Sequence, residues 1–128
     1  MLSRVNRISR ASDFRATVRT GRKSATSHAV VYVVATAENA PARFGFIVSK
    51  AVGNSVVRHF VTRRLRAVAH DLLPAHSSGV DVIVRALPGA ELVEWATLRS
   101  EIATALSKQT ALPRQTALSR QKMSGARA

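Results

Sequence analysis

Between Ser49 and Arg66 the chain reads SKAVGNSVVRHFVTRRLR, and its last nine residues carry four arginines and one histidine. Gly53 permits a tight turn, and Asn54 or Ser55 can accept from the free amides of a helix starting there. The spacing predicts a helix over 55–73 that stops before Pro74. At about 100° per residue, Val57, Val61, Leu65, Val68 and Leu72 fall on one stripe. Arg58, His59, Thr62, Arg63, Arg66 and His70 fall opposite, and no acid stands between Asn54 and Asp71. Surface helices that only pack mix their charges, whereas this one gathers a single sign. A guanidinium stays charged and makes planar, bidentate contacts to phosphate oxygens. Several on one helical face suit the repeated charges of a nucleic-acid backbone.

On either side, the chain supplies what such a helix would pack on. HAVVYVVATA, His28 to Ala37, is rich in β-branched residues and reads as a strand. RFGFIVSK, Arg43 to Lys50, reads as a second, with Phe44, Phe46 and Val48 on one face and Gly45 and Ile47 on the other. VDVIVRA, Val80 to Ala86, is a third, and a short extra strand over Arg22 to Ala25 is weakly signalled. A first helix, capped by Ser9, carries Ile8, Ala11, Phe14 and Val18 at helical spacing, with Asp13 in its first turn and Gly21 at its end. A last helix over 91–107 places Leu92, Trp95, Leu98, Ile102 and Leu106 on an apolar stripe, and Trp95 is assigned to the core. The resulting order is α-β-β-α-β-α, an α+β architecture of one sheet and helices.

The 128 residues suit one domain, 1–107, followed by a basic tail, 108–128, which contains the near-repeat QTALPRQTALSR and is expected to be disordered. The net charge of +13 is uneven: +11 over residues 1–70, −3 over 71–106 and +5 over the remainder. Such charge opposes compaction unless a polyanion neutralises it, which makes nucleic acid the expected partner. An anionic membrane surface fits less well, because the face opposite the arginines is mostly valine rather than Trp, Phe and Leu. The Arg- and Ser-rich N-terminus has the composition of a transit peptide, but the helical pattern from Asp13-Phe14 reads as folded domain. There is no cysteine, so disulfides, thiolate nucleophiles and zinc–cysteine sites are excluded. The acids Asp13, Glu38, Asp71, Asp81, Glu91, Glu94 and Glu101 are scattered singly, and the four histidines lack metal-ligand spacing. No metal site and no catalytic group are expected in this chain.

Ser49–Arg66 resembles the signature of the bacterial ribonuclease P protein component, with Lys50, Gly53, Asn54, Val56, Arg58, Arg63 and Arg66 on the family's pattern. NRISRASDFRATVRTGRK and RFGFIVSK are similar to its N-terminal segment and its Arg-x-Gly-x-x-x-Ser-Lys strand, and VDVIVRA to its last strand. Phe60 and Thr62 depart from the pattern, replacing basic residues, and His59 replaces an asparagine. The resemblance implies a single four-stranded sheet packed with helices in the order α-β-β-β-α-β-α, ribosomal protein S5 domain 2-like, with a left-handed βαβ crossover. It implies a small subunit of a ribonucleoprotein endonuclease that removes the 5′ leader of precursor tRNA in the bacterial cytoplasm. Catalysis is then expected in the RNA subunit, with magnesium required by the holoenzyme and no cofactor bound by the protein alone. The implied partners are the catalytic RNA and precursor tRNA, with no obligate protein partner and no membrane. Lys50, Asn54, Arg58, His59, Thr62, Arg63 and Arg66 are implied to bind the RNA subunit. Arg7, Arg10, Phe14, Val18 and Tyr32 are implied to bind the leader, the aromatic rings by stacking on unpaired bases. The competing reading is a structural RNA-binding protein of ribosomal type that never meets a leader.

Overall fold

The computed structural model describes residues 2–111. Helix α1 (Ala11–Thr20) leads into strands β1 (Arg22–Ala25), β2 (Ala29–Ala35) and β3 (Arg43–Ile47). Helix α2 (Ser55–Leu72), strand β4 (Val80–Ala86) and helix α3 (Trp95–Ala111) complete the chain, with 3-10 turns at Arg4–Asn6 and Leu73–Ala75. The strands form one mixed sheet in the order β1-β2-β4-β3. β2 is antiparallel to both β1 and β4, and β3 is parallel to β4. The α+β order predicted from sequence is therefore the observed one, including the weakly signalled first strand.

Both faces of the sheet are covered, which explains why β2 and β4 read as nearly unbroken apolar runs. Ala29, Val31 and Val33 of β2, Phe44 of β3, and Val82 and Val84 of β4 form the main core with α2 and α3. Helix α2 contributes Val61, Leu65, Val68 and Leu72, and α3 contributes Leu98, Ile102 and Leu106. The opposite alternation, Val30 and Tyr32 of β2 with Ile83 of β4, joins Ile8, Phe14, Val18 and Ile47 in a second cluster that α1 covers. Among the described residues no helix is long and apolar enough to cross a membrane.

Three local expectations are corrected. Ser9 is not the cap of α1: Arg10 occupies that position, its carbonyl accepting from the Asp13 and Phe14 amides. α3 begins at Trp95 rather than residue 91, because the amides of Leu92 and Val93 turn back onto the Gly89 carbonyl before the helix starts. Leu92 is consequently 83% exposed and Trp95 36% exposed, so neither belongs to the core stripe. α3 also continues to Ala111, past the expected boundary at 107. Most of the tail, residues 112–128 with the second half of the QTAL repeat, lies outside the described residues.

Candidate nucleic-acid interface

α2 starts where its sequence says it should. The Asn54 side-chain oxygen accepts from the Val57 amide at 3.0 Å, satisfying one of the helix's unpaired donors. Gly53 is required here because a Cβ would stand 2.7 Å from the Val57 side chain. Val61, Leu65, Val68, Ala69 and Leu72 bury one side of the helix against the sheet and α3. With that side fixed, the remaining residues divide into three rows.

The first row, Arg58, Thr62 and Arg66, is half-buried along the flank. Thr62 and Arg66 help line a cleft of about 120 Å³ with Arg7, Ile8, Phe14, Phe44, Gly45 and Phe46. Thr62 also donates to the Arg58 carbonyl at 2.8 Å. The second row, His59, Arg63 and His70, is exposed, as are Lys50 and Asn54 at the helix entrance. Among the described residues, no carboxylate lies within ion-pair distance of Lys50, Arg58, Arg63 or Arg66. The buried Nε atoms of Arg58 and Arg66 also lack partners among the described residues. These cations are carried on α2 and its entrance and are not neutralised by a carboxylate among the described residues.

The third row lies toward α3, and sequence reasoning missed its purpose. Arg64 donates to the Ala90 and Val93 carbonyls at 3.0 and 2.5 Å, pinning the loop before α3. Its guanidinium also lies 5.2 Å from the centre of the Phe60 ring. Arg64 is thus a clamp within the fold, distinct from the outward-facing arginines. Its acceptors are backbone groups in a distant loop, which leave no mark in side-chain patterning.

The other candidate residues lie on α1, on the segment that leads into it, and under it on β2. The Ile8 amide donates to the Phe44 carbonyl at 2.9 Å, and the Asn6 side chain donates to the Ala42 carbonyl at 2.8 Å, so the N-terminal segment lies along the outer edge of β3. Arg43 donates in bidentate fashion to Asp81 on the neighbouring strand, at 3.0 and 2.6 Å, and reaches Asp13 of α1 at 3.4 Å. The hydrogen bonds to Asp81 are the main reason its guanidinium is held even more firmly protonated than usual, against the opposing effect of partial burial. This three-way link secures the first turn of α1 beside the sheet. Phe14 then lies over Gly45, where a Cβ would meet its ring at 2.7 Å.

Phe14 and Val18 are half-buried, and Arg7 and Arg10 are exposed. Tyr32 is only 5% exposed, packed with Ile8, Val30 and Ile83. Its ring therefore does not stand open to a base: α1 covers that part of the sheet, and Tyr32 lies in the buried cluster under α1, outside the lining of the cleft. The two sets of candidate residues, expected as separate surfaces, meet in the cleft, where Thr62 and Arg66 from α2 face Arg7 and Phe14.

Asp13, Asp71, Asp81, Glu91 and Glu101 have structural partners. Asp13 and Asp81 bind Arg43, Asp71 binds Arg99, and Glu91 accepts from the Gly89 amide. Glu101 accepts from the His28 amide at 3.0 Å and pairs with its Nδ1 at 2.7 Å. Glu91 and Glu94 precede α3 and do not occupy its first turn as the sequence suggests.

The Ribonuclease P family model matches residues 2–110. A ribonuclease P protein component from Clavibacter michiganensis is 46% identical over 108 residues, covering 84% of this chain and 96% of the relative. One from Kocuria rhizophila is 40% identical over 112 residues, covering 84% and 98%. A solved RNase P protein from Staphylococcus aureus superposes with a TM-score of 0.68 at 26% identity, covering 80% of this chain and 93% of that one. The RNase P protein from Thermotoga maritima, at 19% identity, shares the fold with a TM-score of 0.68, covering 84% and 97%.

Proposed function

Because the chain belongs to the ribonuclease P protein family, and so to the protein part of a tRNA-processing endoribonuclease, we propose that it binds the catalytic RNA subunit through α2 and the 5′ leader of precursor tRNA at the β3 cleft. The observation that carries this reading is the set of α2 cations without counter-ions among the described residues, of which Arg66 borders a cleft that also contains an aromatic ring. Lys50, Arg58, Arg63 and Arg66 supply charge to the RNA subunit's phosphates, and Asn54, His59 and Thr62 supply polar contacts. Arg7 and Arg10 hold leader phosphates, while Phe14, which shares an apolar cluster with Val18 and Tyr32, offers a face to an unpaired base. Stacking tolerates any base, which suits leaders of differing sequence.

The RNA subunit performs the hydrolysis, and the holoenzyme requires magnesium for it. Asp13, Asp71 and Asp81 are bound to arginines and Glu101 to His28, and among the described residues no three His, Asp or Glu side chains are grouped as a metal ion would need. The protein's part is to position two RNAs and neutralise their repulsion. The test is cleavage of precursor tRNA by the cognate catalytic RNA at low magnesium, with and without the protein. Stimulation together with tighter binding of precursor than of mature tRNA supports the proposal. Binding to the RNA without stimulation replaces it with the structural RNA-binding reading. Cleavage by the protein alone, surviving destruction of all RNA, places the hydrolysis in this chain.

A further inference from the structure

An aromatic side chain stands in the middle of the cationic helix with half of its surface open. Phe60 is 50% exposed and Val56, one turn earlier, is 76% exposed. Neighbouring positions on the solvent face are His59 and Arg63, both exposed. The ring is not loose. Arg64 lies over it at 5.2 Å, and the Ala90 and Val93 carbonyls hold that same guanidinium. A ring backed by an immobilised cation has surrendered much of its rotamer freedom before any partner arrives, which favours binding.

The surroundings select the partner. With no acid on α2 before Asp71 and a chain charge of +13, a second copy would bring like charge against like. A partner that suits this patch must be polyanionic and also present flat apolar faces, and unpaired nucleic acid has both properties. We propose that Phe60 stacks on an unpaired base of the catalytic RNA subunit, so that this surface of α2 is read by a base as well as by phosphates. The inference rests on the α2 reading above and adds a kind of contact that the cations cannot make. It also gives the departure from the family's basic pattern at this position a chemical purpose.

The experiment measures affinity for the cognate catalytic RNA across a salt series, for the wild-type chain and for Phe60→Ala, Phe60→Leu and Phe60→Tyr. Phe60→Ala is expected to lose between about 5- and 100-fold, with Leu close to Ala and Tyr close to wild type. The slope of log affinity against log salt stays unchanged, since no cation is removed. Thermal melting confirms that each variant folds. Phe60→Trp in a Trp95→Phe background, which leaves a single indole in the chain, is expected to show fluorescence quenching when the RNA binds. An affinity for Phe60→Ala within twofold of wild type overturns the proposal, as does a Leu variant equal to wild type or an unquenched indole. Self-association of the free protein that disappears in Phe60→Ala also overturns it and assigns the ring to a contact between copies. Failure of the wild-type chain to bind the RNA overturns the α2 reading itself, and this inference with it.

Discussion

Arg63 and Arg64 are adjacent in the chain and have opposite uses. Arg63 is exposed, with no carboxylate partner among the described residues, whereas Arg64 bonds to two carbonyls. Arg64→Ala is expected to lower stability by about 1–2 kcal/mol, because those carbonyls lose a charged donor, while leaving the salt dependence of RNA binding intact. Arg63→Ala should do the reverse, sparing the melting temperature and flattening the salt slope by about one counterion unit. Melting curves and a salt titration on the same two variants check both halves. Gly45 makes a second residue-scale case. Gly45→Ala puts a methyl group 2.7 Å from the Phe14 ring and the Ile83 side chain, at an expected cost of about 1–3 kcal/mol. The displaced ring should also narrow the affinity gap between precursor and mature tRNA, which binding measurements on both ligands would reveal. The sequence offers Gly45 only as a strand position opposite Phe44 and Phe46. That it makes room for an aromatic ring depends on α1 crossing at that point, which no local pattern encodes.

At the scale of elements, legibility follows the range of the interactions that set each boundary. α2 was readable nearly to the residue because its start depends on Asn54, its core side on a regular stripe, and its end on nearby Pro74. β4 was readable from its β-branched run. The start of α3 was not, because Glu91, Leu92, Glu94 and Trp95 imitate an acidic, amphipathic first turn, while the loop they belong to is held by Arg64 from another helix. The burial of Tyr32 was not legible for a similar reason: strand alternation assigns a residue to a face but does not say that α1 covers that face. α3 is tied to the sheet by Glu101, and this link should be sensitive to acid. Burial alone would raise the Glu101 pKa, but hydrogen bonds from His28 and Thr26 together hold it below the usual carboxylate value. As pH falls through the ordinary Glu range, the unfolded chain takes up this proton first, so stability drops. The contribution is fully present above about pH 5 and is lost as the folded pKa is passed. Glu101→Gln should therefore reduce the slope of stability against pH between about 3 and 5, measured by denaturant titration at each pH.

For the molecule as a whole, charge suited to RNA should also oppose the compactness of the isolated fold. The cations of residues 1–70 are concentrated on α1, its N-terminal approach and α2, with few acids nearby. Raising the salt concentration should raise the melting temperature of the free protein by screening this repulsion, while weakening its binding to RNA. Opposite signs in the two titrations are the expected outcome, and a melting temperature that falls with salt would contradict this opposition between charge and compactness. The overall fold class was legible because the order of elements and the two apolar periodicities agree. The meeting of the two candidate surfaces was not legible, because it depends on how residues 6–8 lie along β3 and how α2 flanks it.

The position of β4 has a consequence for how the protein is made. β4 lies between β2 and β3 and pairs with both, yet it spans Val80–Ala86. During synthesis the strongly cationic first part of the chain therefore leaves the ribosome before the strand that joins its two halves exists. Until translation reaches Ala86, the nascent chain is a polycation without a completed sheet, emerging from a machine built largely of RNA. The sheet can close only once this late strand has cleared the ribosome, so the shaped basic surface is completed late in synthesis.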